Sequence, residues 1–243
     1  MTSAELEIPE ATGRSEIKVS VADDAHRKLR TKILQGEILP GHKLKFEILQ
    51  QEMSVSASSL REALTRLVSD GFVTSEPRRG FSVAPVSIEE LKDISRLRTI
   101  LEPLALRDAI EHGDDAWEAQ ILATYHRFSK IDSLQGDAPG IRDEQWSHWH
   151  QAFHEALVAA FPSQKTMQFR AVLFEQSERY RAISAARRKQ SRKKSDEHRN
   201  LMEAVLSHDA DQAEKLMVKH IELTSNSLIE ILQAAQVQEQ KAV

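Results

Sequence analysis

The sequence predicts a mostly α-helical protein in two parts, a small N-terminal unit that ends in a β-hairpin and a larger C-terminal bundle of six helices. Three observations predict this arrangement. Apolar residues recur at helical spacing from residue 22 and again from residue 88 onwards, apolar alternation marks the stretch 72–86 between them, and the breaks are short and rich in Gly, Pro and Asp. With 243 residues, the chain is long enough to build two cores.

The two ends of the chain are predicted to lie outside these units. Residues 1–20 are polar, mix Pro and Gly with charges and show no period, so we expect a disordered arm. A disordered tail is expected at 237–243. The folded units are then 21–86 and 87–236.

The first unit begins with an amphipathic helix over residues 22–34. Ala25, Leu29 and Ile33 fall on one face of this helix, and Gly36 follows as a stop.

Two further helices and a hairpin follow. A Pro40-Gly41 turn precedes a short helix over Phe46–Met53. Ser58 or a neighbour caps a longer helix, which ends at Gly71 and has one apolar face made by Leu60, Leu64 and Leu67. Two strands surround the tip of the hairpin at 72–86. This order of elements is that of a winged helix-turn-helix.

The second unit is predicted to be an antiparallel all-α bundle, because its periodic segments are joined by short loops. The six helices are expected at Ile88–His112, Asp115–Leu134, Arg142–Ala160, Lys165–Lys189, Lys194–His208 and Ala210–Ala235.

Charge is unevenly distributed along the chain. The net charge is -4, but the stretch from His26 to Ala84 carries ten Lys or Arg against six acidic residues, whereas the first 25 residues carry an excess of acid. A basic module beside a more acidic one is compatible with binding to nucleic acid.

The composition also limits the compartment and the metal chemistry. No apolar run approaches the 18 or so residues that span a bilayer, and the acidic N-terminus does not resemble a secretory signal. The chain has no cysteine, so any metal must be held by His, Asp or Glu. We expect a cytoplasmic protein without a membrane partner.

The helix-turn-helix pattern predicts that the first unit binds double-stranded DNA through its third helix. Ser56, Ser58 and Ser59 stand at the helix entrance, where hydroxyls and amides can contact phosphates. Arg61, one turn in, can reach the major-groove edge of guanine. Arg66 is expected on a phosphate or paired with an acid.

Further cations belong to the same predicted interface. The wing tip Arg78-Arg79-Gly80 suits contact with a minor groove or its phosphates, and Lys45 adds a charge before the second helix. The alternative is that these charges only solvate the helix and the hairpin. The joint occurrence of the element order, the serine-rich entrance and the basic tip favours DNA binding.

The stretches ILQGEILPGHKL, SVSASSLREALTRLVSDGFV and RRGFSVAPV resemble the GntR family of bacterial transcription regulators. Two positions depart from the family pattern. Phe46-Glu47 stands where members often carry an Arg or Glu pair, and Ala57 stands where they often carry Arg. The resemblance implies that the first unit docks on DNA as other family members do. The two departures concern which operator sequence it binds.

Four histidines of the second unit have spacing that suits a metal site. His150 and His154 are four residues apart on one predicted helix, while His198 and His220 lie on the fifth and sixth bundle helices. Neutral imidazoles suit Zn, Ni, Cu, Fe or Co. A surface pair or a hydrogen-bonded core pair is the alternative. His148 points away from His150 at helical spacing and is left out.

The stretches ISRLRTILEPLALRDAI, HQAFHEALVAA and DEHRNLMEAVLSHDADQAEKLMVKHI resemble the FCD effector domain of the FadR subfamily. The resemblance implies a divalent metal held by an Asp-x-x-x-His pair and two later His, which match His150, His154, His198 and His220. His150 stands where Asp is usual. Either a softer four-His set favours Zn, with Ni as the second candidate, or His150 is not a ligand and three His remain.

The resemblance also implies a role for Arg98, which is similar to an Arg that often lines the effector cavity. The alternative for Arg98 is a helical pair with Glu102. The predicted function is a homodimeric regulator, not an enzyme, that represses transcription from a DNA operator and releases it on binding a carboxylate-bearing small molecule. The alternatives are a regulator that senses the metal itself, a metalloenzyme, and a purely structural four-His site. No Glu forms a His-Glu-x-x-His motif, which argues against the enzyme.

Overall fold

The computed structural model describes residues 20–135, 144–185 and 195–241. This part of the chain forms nine α-helices and three short strands, in the order α1 Val21–Leu34, β1 Lys43–Leu44, α2 Phe46–Met53, α3 Ala57–Ser69, β2 Val73–Glu76, β3 Gly80–Val83, α4 Ile88–His112, α5 Asp115–Gln135, α6 Glu144–Leu157, α7 Gln164–Ala185, α8 Ser195–Leu206 and α9 Ala210–Lys241. The predicted fold class, a winged helix-turn-helix followed by a six-helix domain, is confirmed.

Helix α1 begins with a reciprocal cap. The hydroxyl of Ser20 accepts the backbone N–H of Asp23, while the Asp23 carboxylate accepts the backbone N–H of Ser20. The predicted apolar face is buried and packs against the third helix and the hairpin. The core of this unit comprises Leu29, Ile33, Leu44, Leu49, Leu60, Leu64, Leu67, Phe72, Val73 and Val83.

The wing contains one strand more than the sequence predicted. The short strand β1 comes from the stretch that was predicted to be only a turn, and it pairs antiparallel with β3, giving the strand order β1-β3-β2. Lys43 and Leu44 lie opposite Ser82 and Phe81. Because the strand has only two residues, it offers no periodicity that a sequence could reveal.

The six helices α4–α9 form the second domain. Helix α4 packs on α9 and α7, α5 packs on α6 and α8, and α8 packs on α9. Their shared core includes Leu106, Ile121, Phe153, Val205 and Met217. None of the described helices is long and apolar enough to cross a membrane.

Some helix ends differ from the prediction. Helix α9 continues to Lys241, six residues past the predicted end at Ala235, so most of the tail expected at 237–243 is helical. Gln, Glu, Ala and Lys have good helix propensity, which explains the extension. Helix α6 ends at Leu157, three residues before its predicted end at Ala160. The predicted arm before Ser20 lies outside the described residues, and so do the predicted end of the fourth bundle helix at Lys189 and the predicted start of the fifth at Lys194.

A second, smaller core joins the start of α4 to α7 and α9. Ile88, Leu91 and Ile94 pack there against Tyr180, Ile183, Leu228 and Leu232. This cluster lies next to the junction of the two domains, because α4 begins only five residues after β3 ends.

Candidate functional site

The entrance of α3 presents a cluster of serine hydroxyls. The cap that was expected at Ser58 or a neighbour is Ser56, whose hydroxyl accepts the backbone N–H of Ser59 at 3.1 Å. The hydroxyls of Ser58 and Ser59 each lie 2.9 Å from that of Ser56. Three hydroxyls and the free amides of the first turn therefore share one exposed site, an arrangement that can hold a phosphate.

The two arginines of α3 have different surroundings. Arg61 is exposed and lies over the ring of Phe46, with its guanidinium carbon 5.4 Å from the ring centre. Arg66 forms an ion pair with Asp23 of α1, which makes it a structural link between these helices. The hydrogen bond from Arg66 lowers the pKa of the Asp23 carboxyl to about 2. Of the two, Arg61 is therefore the side chain available to a base.

The wing tip is exposed and sharply turned. Arg78 and Gly80 both adopt the left-handed region, with φ of 67° and 83°. Arg79 pairs with Glu76 at 3.1 Å across the hairpin. Lys45 is exposed at the N-cap position of α2 and makes no capping hydrogen bond through its side chain. All four residues lie at the surface of the winged domain, and Arg78 carries the cation at its tip.

In the second domain, four histidines from three helices lie close together. His150 and His154 come from α6, His198 from α8 and His220 from α9, and all four are buried. One ring nitrogen from each lies within 4.8 Å of the others. The structure therefore brings together the four side chains that the sequence predicted to share one site, and their role as metal ligands stays a prediction.

The surroundings of the cluster favour the neutral form of two of its imidazoles, those of His150 and His154. The pKa values of His150 and His154 lie well below the usual value. Burial is the main cause, and the neighbouring histidines lower both values further. The ring of Trp146 stacks on His150 at a centroid distance of 4.5 Å, and Phe128 packs against His198. A neutral imidazole is the form that binds a metal.

A carboxylate orients one of the four rings, and a second carboxylate lies near another ring without a hydrogen bond to it. Nδ1 of His220 lies 2.9 Å from Oε2 of Glu197 and must carry the proton, since a carboxylate only accepts, so Nε2 keeps its lone pair. Glu178 lies 3.7 Å from Nδ1 of His150 and accepts a hydrogen bond from Arg181. A carboxylate beside a metal-ligating histidine is a common means of fixing the ring.

These features fit a metal ion. Zn–N bonds of about 2.0–2.1 Å in a tetrahedron place the nitrogens roughly 3.3 Å apart, so the rings would move together by about 1.5 Å at most. Both ring nitrogens of His154 are buried without a hydrogen-bond partner. In a neutral ring one of these nitrogens is a donor and the other an acceptor, and burying either without a partner is costly unless something binds it. His150, His154, His198 and His220 are the residues that could hold the ion.

Arg98 lies beside the histidines in a buried ion cluster. Its guanidinium donates to Ser177 at 2.7 Å and to Glu102 at 3.2 Å, and Glu102 also accepts from Arg170 at 2.6 Å. Burial alone would raise the pKa of the Glu102 carboxyl, but the charges of Arg170 and Arg98 outweigh it and lower the pKa. The helical pair of Arg98 with Glu102 is observed, and Arg98 also lines the cavity at the histidines, where its role toward an effector stays a prediction.

Several residues of this cavity escaped the sequence analysis. Helix α7 contributes Phe174, Ser177, Glu178 and Arg181, which share one face at spacings of three and four residues, and Thr224 comes from α9. A stripe of charged residues at helical spacing is usually exposed to solvent, so the spacing did not identify these residues as part of the cavity.

Comparison with known proteins identifies the class. Residues 21–83 match the family model described as bacterial regulatory proteins, gntR family, and residues 93–223 match the FCD domain model. The winged helix and the bundle correspond to these two regions, so the protein is a DNA-binding transcriptional regulator with an effector domain. The chain belongs to the GntR family and carries an FCD domain.

Two relatives support this assignment. The chain is 35% identical over 203 residues to the HTH-type transcriptional regulator BphR of Paraburkholderia xenovorans, covering 84% of this chain and 83% of the relative. It is 37% identical over 202 residues to the HTH-type transcriptional repressor GlaR of Escherichia coli, covering 82% and 91%. Since the families and relatives are regulators, the prediction that the chain is not an enzyme is confirmed, and the metalloenzyme alternative is set aside.

Solved structures show the same fold. E. coli McbR/YncC superposes with a TM-score of 0.72 at 20% identity, over 87% of this chain and 98% of the other. A putative GntR transcriptional regulator from Rhodococcus sp. RHA1 gives a TM-score of 0.69 at 16% identity, over 86% and 97%.

Proposed function

We propose that this regulator is a repressor whose DNA binding is controlled by a small organic acid at the histidine centre, where His150, His154, His198 and His220 hold a divalent metal. The observation that carries the proposal is the convergence of four buried histidines from three helices beside the cation of Arg98. The name of the relative GlaR, a transcriptional repressor, supports the sign of the regulation.

Each part of the cavity has a chemical task in this proposal. Four neutral imidazoles favour Zn, with Ni as the next candidate. When bound, the ion supplies a Lewis-acidic position for a carboxylate oxygen. Arg98 supplies a fixed cation, and the hydroxyls of Ser177 and Thr224 supply hydrogen bonds that select among acids.

The proposed DNA interface is the exposed surface of the winged domain. Arg61 contacts a base in the major groove, and the hydroxyls of Ser56, Ser58 and Ser59 contact phosphates. The wing tip, Arg78-Arg79-Gly80, reaches the neighbouring minor groove or its phosphates. Lys45 and Arg66 lie on the same domain, where Lys45 adds a phosphate contact and Arg66 fixes α3 against α1 through Asp23.

We propose further that two copies bind a two-fold operator. Leu97, Ile100 and Leu104 are 48%, 58% and 47% exposed and recur along one face of α4. Phe169 and Val172 of the neighbouring α7 are exposed as well. An apolar stripe of this kind is expected to be covered, and a second copy is the occupant that a two-fold operator requires.

Footprinting of the protein's own promoter with a panel of mono- and dicarboxylic acids tests the control mechanism. Release of DNA by an acid that is abolished by a chelator and restored by Zn²⁺ is the expected result. Release by Zn²⁺ alone would instead support a metal sensor. If an acid releases the DNA equally well with and without the chelator, the four histidines have a structural role.

A further inference from the structure

Helix α7 separates the histidine centre from the winged domain, and its two sides contact different parts of the protein. The side facing the cavity carries Phe174, Ser177, Glu178 and Arg181. The side facing the winged domain carries Glu175, Gln176 and Arg179. Glu178 and Arg179 are adjacent, so the two contact surfaces meet within one turn of the helix.

Arg179 is the centre of the contact with the winged domain and is only 1% exposed. Its guanidinium donates hydrogen bonds to the carbonyl oxygens of Ala84, of Pro85 at 2.9 Å and of Gly71 at 3.4 Å. Gly71 follows the end of α3, and Ala84 and Pro85 form the connection between the domains. We call these four residues the Arg179 clamp.

Neighbouring contacts hold the same junction. Gln176 donates to the carbonyl of Asp70 at 3.5 Å, and a Cβ atom added at Gly71 would lie 2.6 Å from Nε2 of Gln176. On the connection side, the hydroxyl of Tyr180 accepts the backbone N–H of Ser87 at 3.3 Å and donates to Glu90. The end of α3 and the start of α4 are thus both fixed to α7.

The clamp is sensitive to displacement because it holds a buried cation. Burial lowers the pKa of Arg179, yet a guanidinium stays charged in proteins. Among the described residues its ion-pair partner is Glu90, at 3.9 Å, and the hydrogen bonds to the backbone carbonyls are shorter contacts. A shift of α7 by an ångström or so would lengthen these bonds together and leave donors buried without partners.

We propose that α7 couples the histidine centre to the winged domain through the Arg179 clamp, so that occupancy of the centre changes the orientation of the DNA-binding surface. This inference rests on the proposed function, which makes the histidine centre the regulatory site. Metal binding would draw the four rings together by up to about 1.5 Å. Glu178 and Phe174 contact these rings, so α7 has to follow, and Arg179 moves with it.

The distance between the two domains can be measured directly with spin labels. The chain contains no cysteine, so Glu47→Cys on α2 and Gln120→Cys on α5, both exposed, give one label on each domain of the full-length protein. Labelled chains are mixed with an excess of unlabelled chain, so that a dimer holds at most one labelled copy. Electron–electron double resonance then gives the distance distribution within that copy, first in metal-free protein and then with Zn²⁺ alone. Calorimetric titration of Zn²⁺ measures binding separately.

Two variants alter the clamp, one on α7 and one at the end of α3. Arg179→Met removes the donors, with Arg127→Met as its control, because Arg127 is exposed and lies over Trp149 away from the winged domain. Gly71→Ala pushes on Gln176, with Gly36→Ala as its control, because Gly36 has a similar φ of 75° and nothing within 4 Å of its Cβ position.

The expected result is one narrow distance in the metal-free parent, shifted by several ångströms with Zn²⁺. Arg179→Met and Gly71→Ala should broaden or displace the metal-free distance, and Arg179→Met should bind Zn²⁺ without the further shift. The two controls should follow the parent. If both clamp variants keep the parent distance, or if Zn²⁺ binds the parent without changing it, the proposal is overturned. Absence of Zn²⁺ binding would instead contradict the proposed metal site. The clamp would then still be tested by comparing the distances of the variants and the parent in metal-free protein.

Discussion

The Nε atom of Arg170 lies 2.6 Å from Oε2 of Glu102, and neither side chain is exposed to solvent by more than 2%. Arg98 contacts the second oxygen of the same carboxylate. One buried anion therefore holds two cations that come from different helices, α4 and α7.

Removal of this anion should destabilise the protein strongly. Glu102→Gln leaves Arg98 and Arg170 buried without a compensating charge, and we expect a loss of about 3–5 kcal/mol in the free energy of unfolding. Urea titration followed by circular dichroism measures this loss. Glu111→Gln, at an exposed position of the same helix, should change the free energy by less than about 0.5 kcal/mol. Equal effects at the two positions would show that the buried cluster adds no stability.

The same carboxyl predicts a pH dependence of stability. The pKa of Glu102 is lower in the folded protein than its ordinary value of 4.5. The ionised carboxylate therefore contributes its full stabilisation to the folded state above pH 4.5. This stabilisation is lost as the pH falls through the folded pKa. The difference in unfolding free energy between the parent and Glu102→Gln should therefore be constant near neutral pH and narrow below about pH 4.5. A difference that grows on acidification would contradict this assignment.

Arg61 is expected to carry part of the sequence specificity. Arg61→Ala should weaken binding to the operator by about 1–3 kcal/mol and change binding to unrelated DNA much less. Fluorescence anisotropy at fixed salt compares the two, and Arg96→Ala on the exposed surface of α4 serves as the control. An unchanged footprint in Arg61→Ala would refute the base contact.

His198 is expected to be a metal ligand. His198→Ala should lower the Zn²⁺ bound per chain after dialysis against a weak chelator, because one of four converging nitrogens is lost. His148→Ala, an exposed position on α6, should leave the metal content unchanged. Full occupancy in His198→Ala, measured by elemental analysis, would remove His198 from the site.

The exposed stripe of α4 should control assembly. Ile100→Asp places a charge in the middle of the proposed contact, so light scattering after gel filtration should show the mass of one chain instead of two. Leu122→Asp on α5, where the native side chain is 50% exposed, should leave the dimer intact. If Ile100→Asp remains dimeric, the contact lies on another surface.

The sequence predicted the histidine centre because its ligands follow simple rules of spacing. His150 and His154 are one turn apart on one helix, and His198 and His220 each lie among apolar neighbours that face the core. The boundaries of α4 were predicted for a related reason, since Ser87 and Gly113 bracket one long periodic segment.

The rest of the site could not be predicted in this way. Arg170, Glu178 and Arg181 are charged residues that face inward, and only the partners across the cavity make such burial tolerable. The bonds of Arg179 go to backbone carbonyls, which every residue possesses, so no residue type marks the other half of the clamp. Interactions of this kind depend on tertiary structure and leave no pattern in the sequence.

At the tip of the wing, the DNA contact that we propose for Arg78 conflicts with the backbone conformation of that residue. Arg78 has a left-handed backbone, with φ of 67°, that costs an ordinary residue about 1–2 kcal/mol and glycine almost nothing. Backbone preference alone would place glycine or asparagine there, and the exposed side chain of Arg78 has no packing that offsets the strain. The wing is therefore a point at which improved thermal stability and retained affinity for DNA would demand different amino acids.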